Sequence, residues 1–98
     1  MKKFAFIMMG AAHDPESERA QFEAGDVLTL IRTVRNFEEA KDLAIELVND
    51  GVGAIELCGA FGPEKAEELF ELTGRKTAIG YVTHNPAHDA LFSAFWGK

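Results

Sequence analysis

The sequence predicts an α/β protein built from four successive strand-helix units, which form a mainly parallel four-stranded sheet. Short apolar stretches alternate along the chain with segments whose apolar residues recur at helical spacing, and this alternation is typical of parallel sheets. The apolar stretches carry apolar residues on both faces, as strands that are covered on both sides do. With 98 residues, of which 47% are hydrophobic and 27% charged, the chain is expected to form a single α/β domain over residues 1–98.

The first unit begins with an apolar strand predicted over residues 3–9. Asp14 and Pro15 then stand in the order favoured at a helix start, where the first residue caps free amides and the second occupies the first helical turn. The sequence therefore predicts a short, mostly polar helix that runs to about Phe22 and is broken at Gly25.

The second unit contains the helix with the clearest sequence pattern. A strand is predicted over Val27–Val34, and Asn36 and Glu39 follow it in the spacing of a capping box. Apolar residues then recur at helical spacing up to Gly51, a residue type that commonly closes a helix. The sequence therefore predicts a long amphipathic helix between Asn36 and Gly51.

The third unit is predicted as a strand over Ala54–Cys58 and a helix that starts at Pro63 and ends at Gly74. The fourth strand is predicted over Thr77–Thr83, and Asn85 followed by proline caps the last helix. The residues of that helix expected to face inward are Ala87, Leu91, Phe92 and Phe95.

Self-association is expected because all the helices of such a fold lie on one face of the sheet. Crossovers between parallel strands are right-handed in nearly all cases, so strands that follow chain order leave the opposite face bare. A second copy of the chain is the simplest cover, and a dimer is favoured because two-fold closure is the commonest symmetry. The aromatic residues Phe92, Phe95 and Trp96 also indicate an interface. The alternative is a doubly wound monomer with helices on both faces.

Composition excludes several classes of protein. The net charge is −6, whereas a nucleic-acid surface is basic. No apolar run approaches the roughly 20 residues of a membrane-spanning helix. The single cysteine, Cys58, excludes an internal disulfide and indicates a reducing compartment, so a cytoplasmic location is expected.

The segment Gly51–Pro63, with the Glu-Leu-Cys-Gly sequence of Glu56–Gly59 at its centre, resembles the hallmark of a small uncharacterised prokaryotic α/β protein family. The preceding helix and the strand Ala78–Val82 are similar too, so the resemblance extends from about Gly25 onward. The resemblance implies a compact α/β fold, and it implies no particular reaction, cofactor or ligand.

Several polar residues follow the carboxyl ends of the predicted strands, where ligands bind in open parallel sheets. The turn from Gly59 to Gly62 opens a helix whose first amides accept phosphate or carboxylate groups. We therefore predict a site for a small anionic ligand formed by Gly59 and Gly62 with His13, Arg32 and Asn85. The alternative is a tight turn that needs glycine only for its backbone freedom.

Glu56 is an unusual residue for an apolar strand, because a buried carboxylate is costly unless it is paired. Arg32 lies in the neighbouring predicted strand and is the expected partner. One hypothesis is a buried ion pair that fixes strand register, and the other is a catalytic general base with a shifted pKa.

Cys58 and His84 are the other candidate catalytic residues. A thiol before a helix N-terminus has a lowered pKa and is a nucleophile if a histidine lies close to it. The alternative for Cys58 is a small buried apolar residue. His84 and His88 have a chelating spacing, but Pro86 starts the helix between them, so no metal site is predicted.

Two functions fit these observations. The first is a small homo-oligomer that binds a small anionic ligand, and it is an enzyme if Glu56 or His84 moves protons. The second is a non-catalytic interaction or scaffold protein without a ligand site. The sequence identifies no cofactor.

Overall fold

The computed structural model describes residues 1–97, and Lys98 lies outside the described residues. It shows a five-stranded mixed sheet in the order β2-β3-β1-β4-β5, with three α-helices. The strands are β1 (Lys2–Met9), β2 (Ala20–Ala24), β3 (Val27–Val34), β4 (Ala54–Leu57) and β5 (Ala78–Tyr81). The helices are α1 (Phe37–Asn49), α2 (Gly62–Leu72) and α3 (Asp89–Trp96), the last preceded by a 3-10 turn at Pro86–His88.

The α/β class is confirmed, but the prediction of four parallel strands is wrong because the first predicted helix is a strand. Asp14 does cap a turn, since its carboxylate accepts hydrogen bonds from the Glu16 amide at 3.1 Å and the Ser17 hydroxyl at 2.8 Å. That turn does not propagate. The chain instead forms β2, which pairs antiparallel with β3 through a tight hairpin at Gly25, where φ is +59°. Glycine at the first central position, with positive φ, is typical of such hairpins.

The other strands pair in parallel, and the strand register determines which side chains share a face. Ile7 pairs with Arg32 on β3 and with Leu57 on β4, so these three side chains lie on one face. Helices α1 and α2 cover this face and contact each other. The connections β3–α1–β4 and β4–α2–β5 both join parallel strands and run in the same direction along the sheet. Because such crossovers are right-handed, α1 and α2 lie on the same side of the sheet.

The core lies between this face and the two helices. The predicted helix cap is confirmed, because the Asn36 side chain accepts a hydrogen bond from the Glu39 amide at 2.9 Å. The buried apolar residues are Ala5, Ile7, Leu30, Val34, Ala40, Ala44, Leu47, Val52, Ile55, Leu57, Phe61, Ala66 and Leu69. This set includes the buried residues of α1 and the residues of β1, β3 and β4 whose side chains point toward the helices.

The opposite side of the sheet, called here the open face, has no helix layer. Its central residues are mostly apolar, with two threonines and one carboxylate among them, and they are Phe4, Phe6, Met8, Phe22, Thr29, Ile31, Thr33 and Glu56. Phe22 is 55% exposed and Met8 is 39% exposed. Within residues 1–97, this side of the sheet is therefore left without a helix, although the strands do not follow chain order as the prediction assumes.

The C-terminal arm, defined as residues 82–97, does not pack into the core. Every residue from 81 to 97 is exposed, including all of α3. The prediction that Ala87, Leu91, Phe92 and Phe95 face inward is wrong for the isolated chain, because α3 makes its contacts with the preceding 3-10 turn. No helix in residues 1–97 has the length and apolar character needed to cross a membrane.

Candidate functional site

Glu56 and Arg32 do not form the predicted ion pair. Glu56 pairs with Phe6 on β1 and therefore lies on the open face, whereas Arg32 pairs with Ile7 and lies on the helix-covered face. Strand β1 also separates their two strands in the sheet. Successive side chains of a strand point to opposite faces. Because Phe6 and Ile7 are consecutive in β1, their partners Glu56 and Arg32 lie on opposite faces of the sheet.

Arg32 instead anchors the edge strand β2. Its guanidinium donates hydrogen bonds to the Ala20 carbonyl at 2.9 Å, the Ile31 carbonyl at 3.0 Å and the Gln21 side-chain oxygen at 3.0 Å. Burial lowers the pKa of the Arg32 guanidinium, and the nearby charge of Arg19 lowers this pKa further. These contacts assign Arg32 a structural position beneath β2, away from the predicted ligand site at the strand ends.

Glu56 occupies space that the neighbouring strand leaves free. Its carboxylate lies over Gly80 of β5, where a Cβ would stand 2.6 Å from the Glu56 Cδ. Any side chain at position 80 therefore requires the Glu56 carboxylate to move. The half-buried Glu56 side chain consequently rests on the open face near the β5 edge of the sheet.

Cys58 directly follows β4 and lies beside the end of β1. Its sulfur accepts a hydrogen bond from the Met9 amide at 3.3 Å, and its own amide donates to the Ile7 carbonyl at 3.1 Å. The thiol is free and half-buried. These contacts support the interpretation of Cys58 as a packed residue of the strand end.

The turn before α2 has the expected glycine geometry, with Gly62 at a φ of +77°. Pro63 removes one of the first amides of α2, and Phe61 provides no side-chain cap. Glu64 is in the first turn, and its carboxylate lies 3.9 Å from where a Cβ of Gly62 would stand. The first turn of α2 therefore already carries a negative charge, which opposes the binding of an anion at the same helix start.

Histidines and arginines beyond the strand ends pair with carboxylates of the same chain. The His13 imidazole lies 3.3 Å from the Glu18 carboxylate. Arg35 pairs with Glu39 at 2.6 Å, and these hydrogen bonds lower the pKa of the Glu39 carboxyl. The pKa of Glu18 is also lowered, first by the backbone amide of Asp14 and then by His13. His13 and Arg35 therefore have partners without an anionic ligand.

His84 leaves the sheet with the C-terminal arm. Its ring nitrogen lies 2.6 Å from the Asp89 carboxylate, and its ring stacks on Phe92 with centroids 4.0 Å apart. The Asn85 side chain accepts a hydrogen bond from the Ala87 amide at 2.9 Å, which makes it the predicted cap. Glu56, Cys58 and His84 thus have separate neighbours.

The structure contains no candidate metal centre within residues 1–97, because no three histidine, cysteine or acidic side chains converge there. A surface groove of about 520 Å³ lies between α2 and β5. Its lining residues are Pro63, Ala66, Glu67, Phe70, Ile79 and Tyr81. None of the predicted site residues lines this groove.

The surface that sequence reasoning missed is the β2 part of the open face. Phe22 was assigned to a polar helix, but it stands on a strand and extends the apolar surface of β1 and β3. The signal was present, because Ala20, Phe22 and Ala24 alternate with polar residues at the period of a half-exposed strand.

The chain belongs to the family of unknown function DUF6506, whose profile matches residues 2–97. This assignment covers the N-terminal strands as well as the segment that carries the resemblance noted above. No curated protein and no solved structure matches the chain.

Proposed function

We propose that this DUF6506 protein is a self-associating, non-catalytic interaction protein whose open face is buried between copies of the chain. One observation carries the proposal: within residues 1–97, no helix covers this largely apolar face of the sheet. Parallel sheets are normally covered on both sides, because their strands are apolar on both faces. The same holds here for β1, where Phe4 and Phe6 alternate with the fully buried Ala5 and Ile7.

The surroundings of the strand ends favour this function over anion binding. Glu64 adds a negative charge to the first turn of α2, and His13 and Arg35 pair with Glu18 and Glu39. An anion bound there would meet the negative charge of Glu64 and would compete with Glu18 and Glu39 for His13 and Arg35. The open face requires no such rearrangement to bury apolar surface.

Sedimentation equilibrium over a range of micromolar concentrations tests the proposal. We expect the wild-type chain to have twice the mass of one chain, and Phe22→Lys to shift the equilibrium toward the monomer. Ile45→Lys is the matched control, because Ile45 is 41% exposed on α1, on the opposite side of the sheet. A wild-type protein that stays monomeric, or equal effects of the two variants, would overturn the proposal.

A further inference from the structure

We propose that α3 of each copy packs on the open face of a second copy, so that the two C-terminal arms are exchanged. This inference rests on the proposed self-association and specifies its geometry. The two surfaces involved are an apolar helix without a packing partner and an apolar sheet face without a helix layer.

Helix α3 needs a packing partner in order to persist. It has 8 residues, and isolated helices shorter than roughly 12–15 residues are marginal in water. Leu91 is 70% exposed, Phe95 77% and Trp96 67%, although apolar helices are normally buried. Phe95 and Trp96 contact each other edge to face at 4.9 Å and thus form one continuous aromatic surface.

The arm is braced as a unit even though it projects from the sheet. The Val82 amide still donates to the Leu57 carbonyl at 2.9 Å and extends the β4–β5 ladder. Beyond that point, His84 stacks on Phe92 and contacts Asp89, which joins the linker to the first turns of α3. These contacts present Phe95 and Trp96 on a structured helix.

The open face has dimensions and charge that suit this helix. Eight helical residues span about 12 Å, and five strands span about 19 Å between the outermost strand axes. Glu56 is the one ionisable group at the centre of the open face, and α3 carries one charged residue, Asp89, at its start. Glu56 lies near the β5 edge, so a helix packed over β1, β2 and β3 leaves its carboxylate at the rim of the contact.

The buried area is sufficient for a stable dimer. A buried aromatic side chain removes about 150–250 Å² from water, so the exposed fractions of Phe92, Phe95 and Trp96 with Leu91 amount to roughly 450 Å² per helix. Two reciprocal contacts, with the sheet surface beneath each helix included, bury roughly 1,500 Å², within the range of about 1,200–2,000 Å² for specific interfaces.

The second copy is the occupant because one chain carries both complementary surfaces. A two-fold axis that brings one arm to the partner's sheet brings the partner's arm to the first sheet, so the assembly closes. An unrelated partner would cover the helix or the sheet and leave the other surface exposed.

A complementation experiment tests the exchange. Phe22→Lys damages the open face and Phe95→Glu damages the helix. We expect each variant alone to associate at least about tenfold more weakly than wild type, because a charge is then buried in an apolar contact. In an equimolar mixture, each pair of unlike chains contains one native helix-on-sheet contact and one contact with opposite introduced charges. The mixture should therefore regain the dimer mass in sedimentation equilibrium.

Each outcome has a defined meaning. If Phe95→Glu dimerises normally while Phe22→Lys does not, the sheets pack directly on each other; the arm exchange is then wrong and the proposed function stands. If both variants are monomeric and the mixture does not recover, the two surfaces do not meet and the exchange is again wrong. Circular dichroism verifies the folding of each variant, and Met8→Lys on the same face replaces Phe22→Lys if the latter unfolds.

A cross-linking measurement tests the same contact independently. Phe95→Cys and Phe22→Cys are placed on separate chains of different mass, each in a Cys58→Ser background, and a bis-maleimide is added. A product that joins the two unlike chains supports the exchange. A cross-link found only within a chain that carries both cysteines would overturn it, because α3 would then cover its own sheet.

Discussion

The roles of Arg32 and Glu56 can be separated by a double-mutant cycle with Arg32→Met and Glu56→Gln. The structure places the two side chains on opposite faces of the sheet, so their effects on the free energy of unfolding should add. Additivity within about 0.3–0.5 kcal/mol is the rule for residues that share no partner. A buried ion pair would behave differently, since loss of either partner would cost about 3–5 kcal/mol and the double change less than the sum.

The magnitude for Arg32→Met follows from its contacts. The variant loses hydrogen bonds to the Ala20 and Ile31 carbonyls and to Gln21, and a hydrogen bond from a charged group contributes about 1.5–3 kcal/mol. Methionine keeps the packing of the side-chain stem and removes the cost of burying a guanidinium. We expect the free energy of unfolding to fall by about 2 kcal/mol, because the loss of these hydrogen bonds outweighs the gain from no longer burying a guanidinium. Glu56→Gln should change stability by less than about 0.5 kcal/mol, because Glu56 is half-buried and its charge has no salt-bridge partner within residues 1–97.

Urea unfolding at one fixed protein concentration, followed by far-UV circular dichroism, measures all four corners of the cycle. Arg19→Met is the control for loss of a positive charge, since Arg19 is exposed, and it should be nearly neutral. Hydrogen exchange should also show faster exchange of β2 amides in Arg32→Met. A coupling energy above about 1 kcal/mol between positions 32 and 56 would refute the register described here.

Three further predictions concern the core, the hairpin and pH. Leu69→Ala should lower the free energy of unfolding by about 2–5 kcal/mol, because Leu69 is fully buried and the change leaves a cavity; a loss below about 1 kcal/mol in urea titrations would contradict that packing. Gly25→Ala should lower the free energy of unfolding by about 1–2 kcal/mol because φ at Gly25 is +59°. Gly53→Ala is the control, and it should be neutral or stabilising because Gly53 has open space around it and no positive φ. Equal shifts of the melting temperature in the two variants would count against the hairpin geometry. Arg35 lowers the pKa of Glu39 from its ordinary value of 4.5, so the contribution of this pair is present above pH 4.5 and is lost as the pH falls through the lowered pKa. Arg35→Gln should reduce this part of the acid dependence of unfolding, although the backbone amide of residue 35 still donates to Glu39, and an unchanged acid limb would show that the guanidinium does not contribute.

Local sequence signals predicted the elements whose structure depends on neighbouring residues. Strand β3 lies at its predicted bounds, and the cap at Asn36 forms as the spacing with Glu39 indicates. The positive φ values at Gly51 and Gly74 also match the predicted helix ends. These features depend on backbone sterics and short-range hydrogen bonds, which a few consecutive residues specify. At β2 two local signals disagree, because Asp14 and Pro15 indicate a helix start whereas the alternation of residues 20–24 indicates the strand that forms.

The tertiary structure alone decided strand order, register and which charges meet. Inserting β1 between β3 and β4 separates Arg32 from Glu56, although their predicted strands are consecutive in the sequence. Residue types cannot reveal such a separation, because register depends on how distant segments pack, and a slip of one residue moves a side chain to the other face. The sequence by itself determined that this chain forms an α/β sheet with apolar residues on both faces. Only the three-dimensional arrangement showed that one face and helix α3 remain uncovered, because burial depends on which surfaces the folded chain brings together.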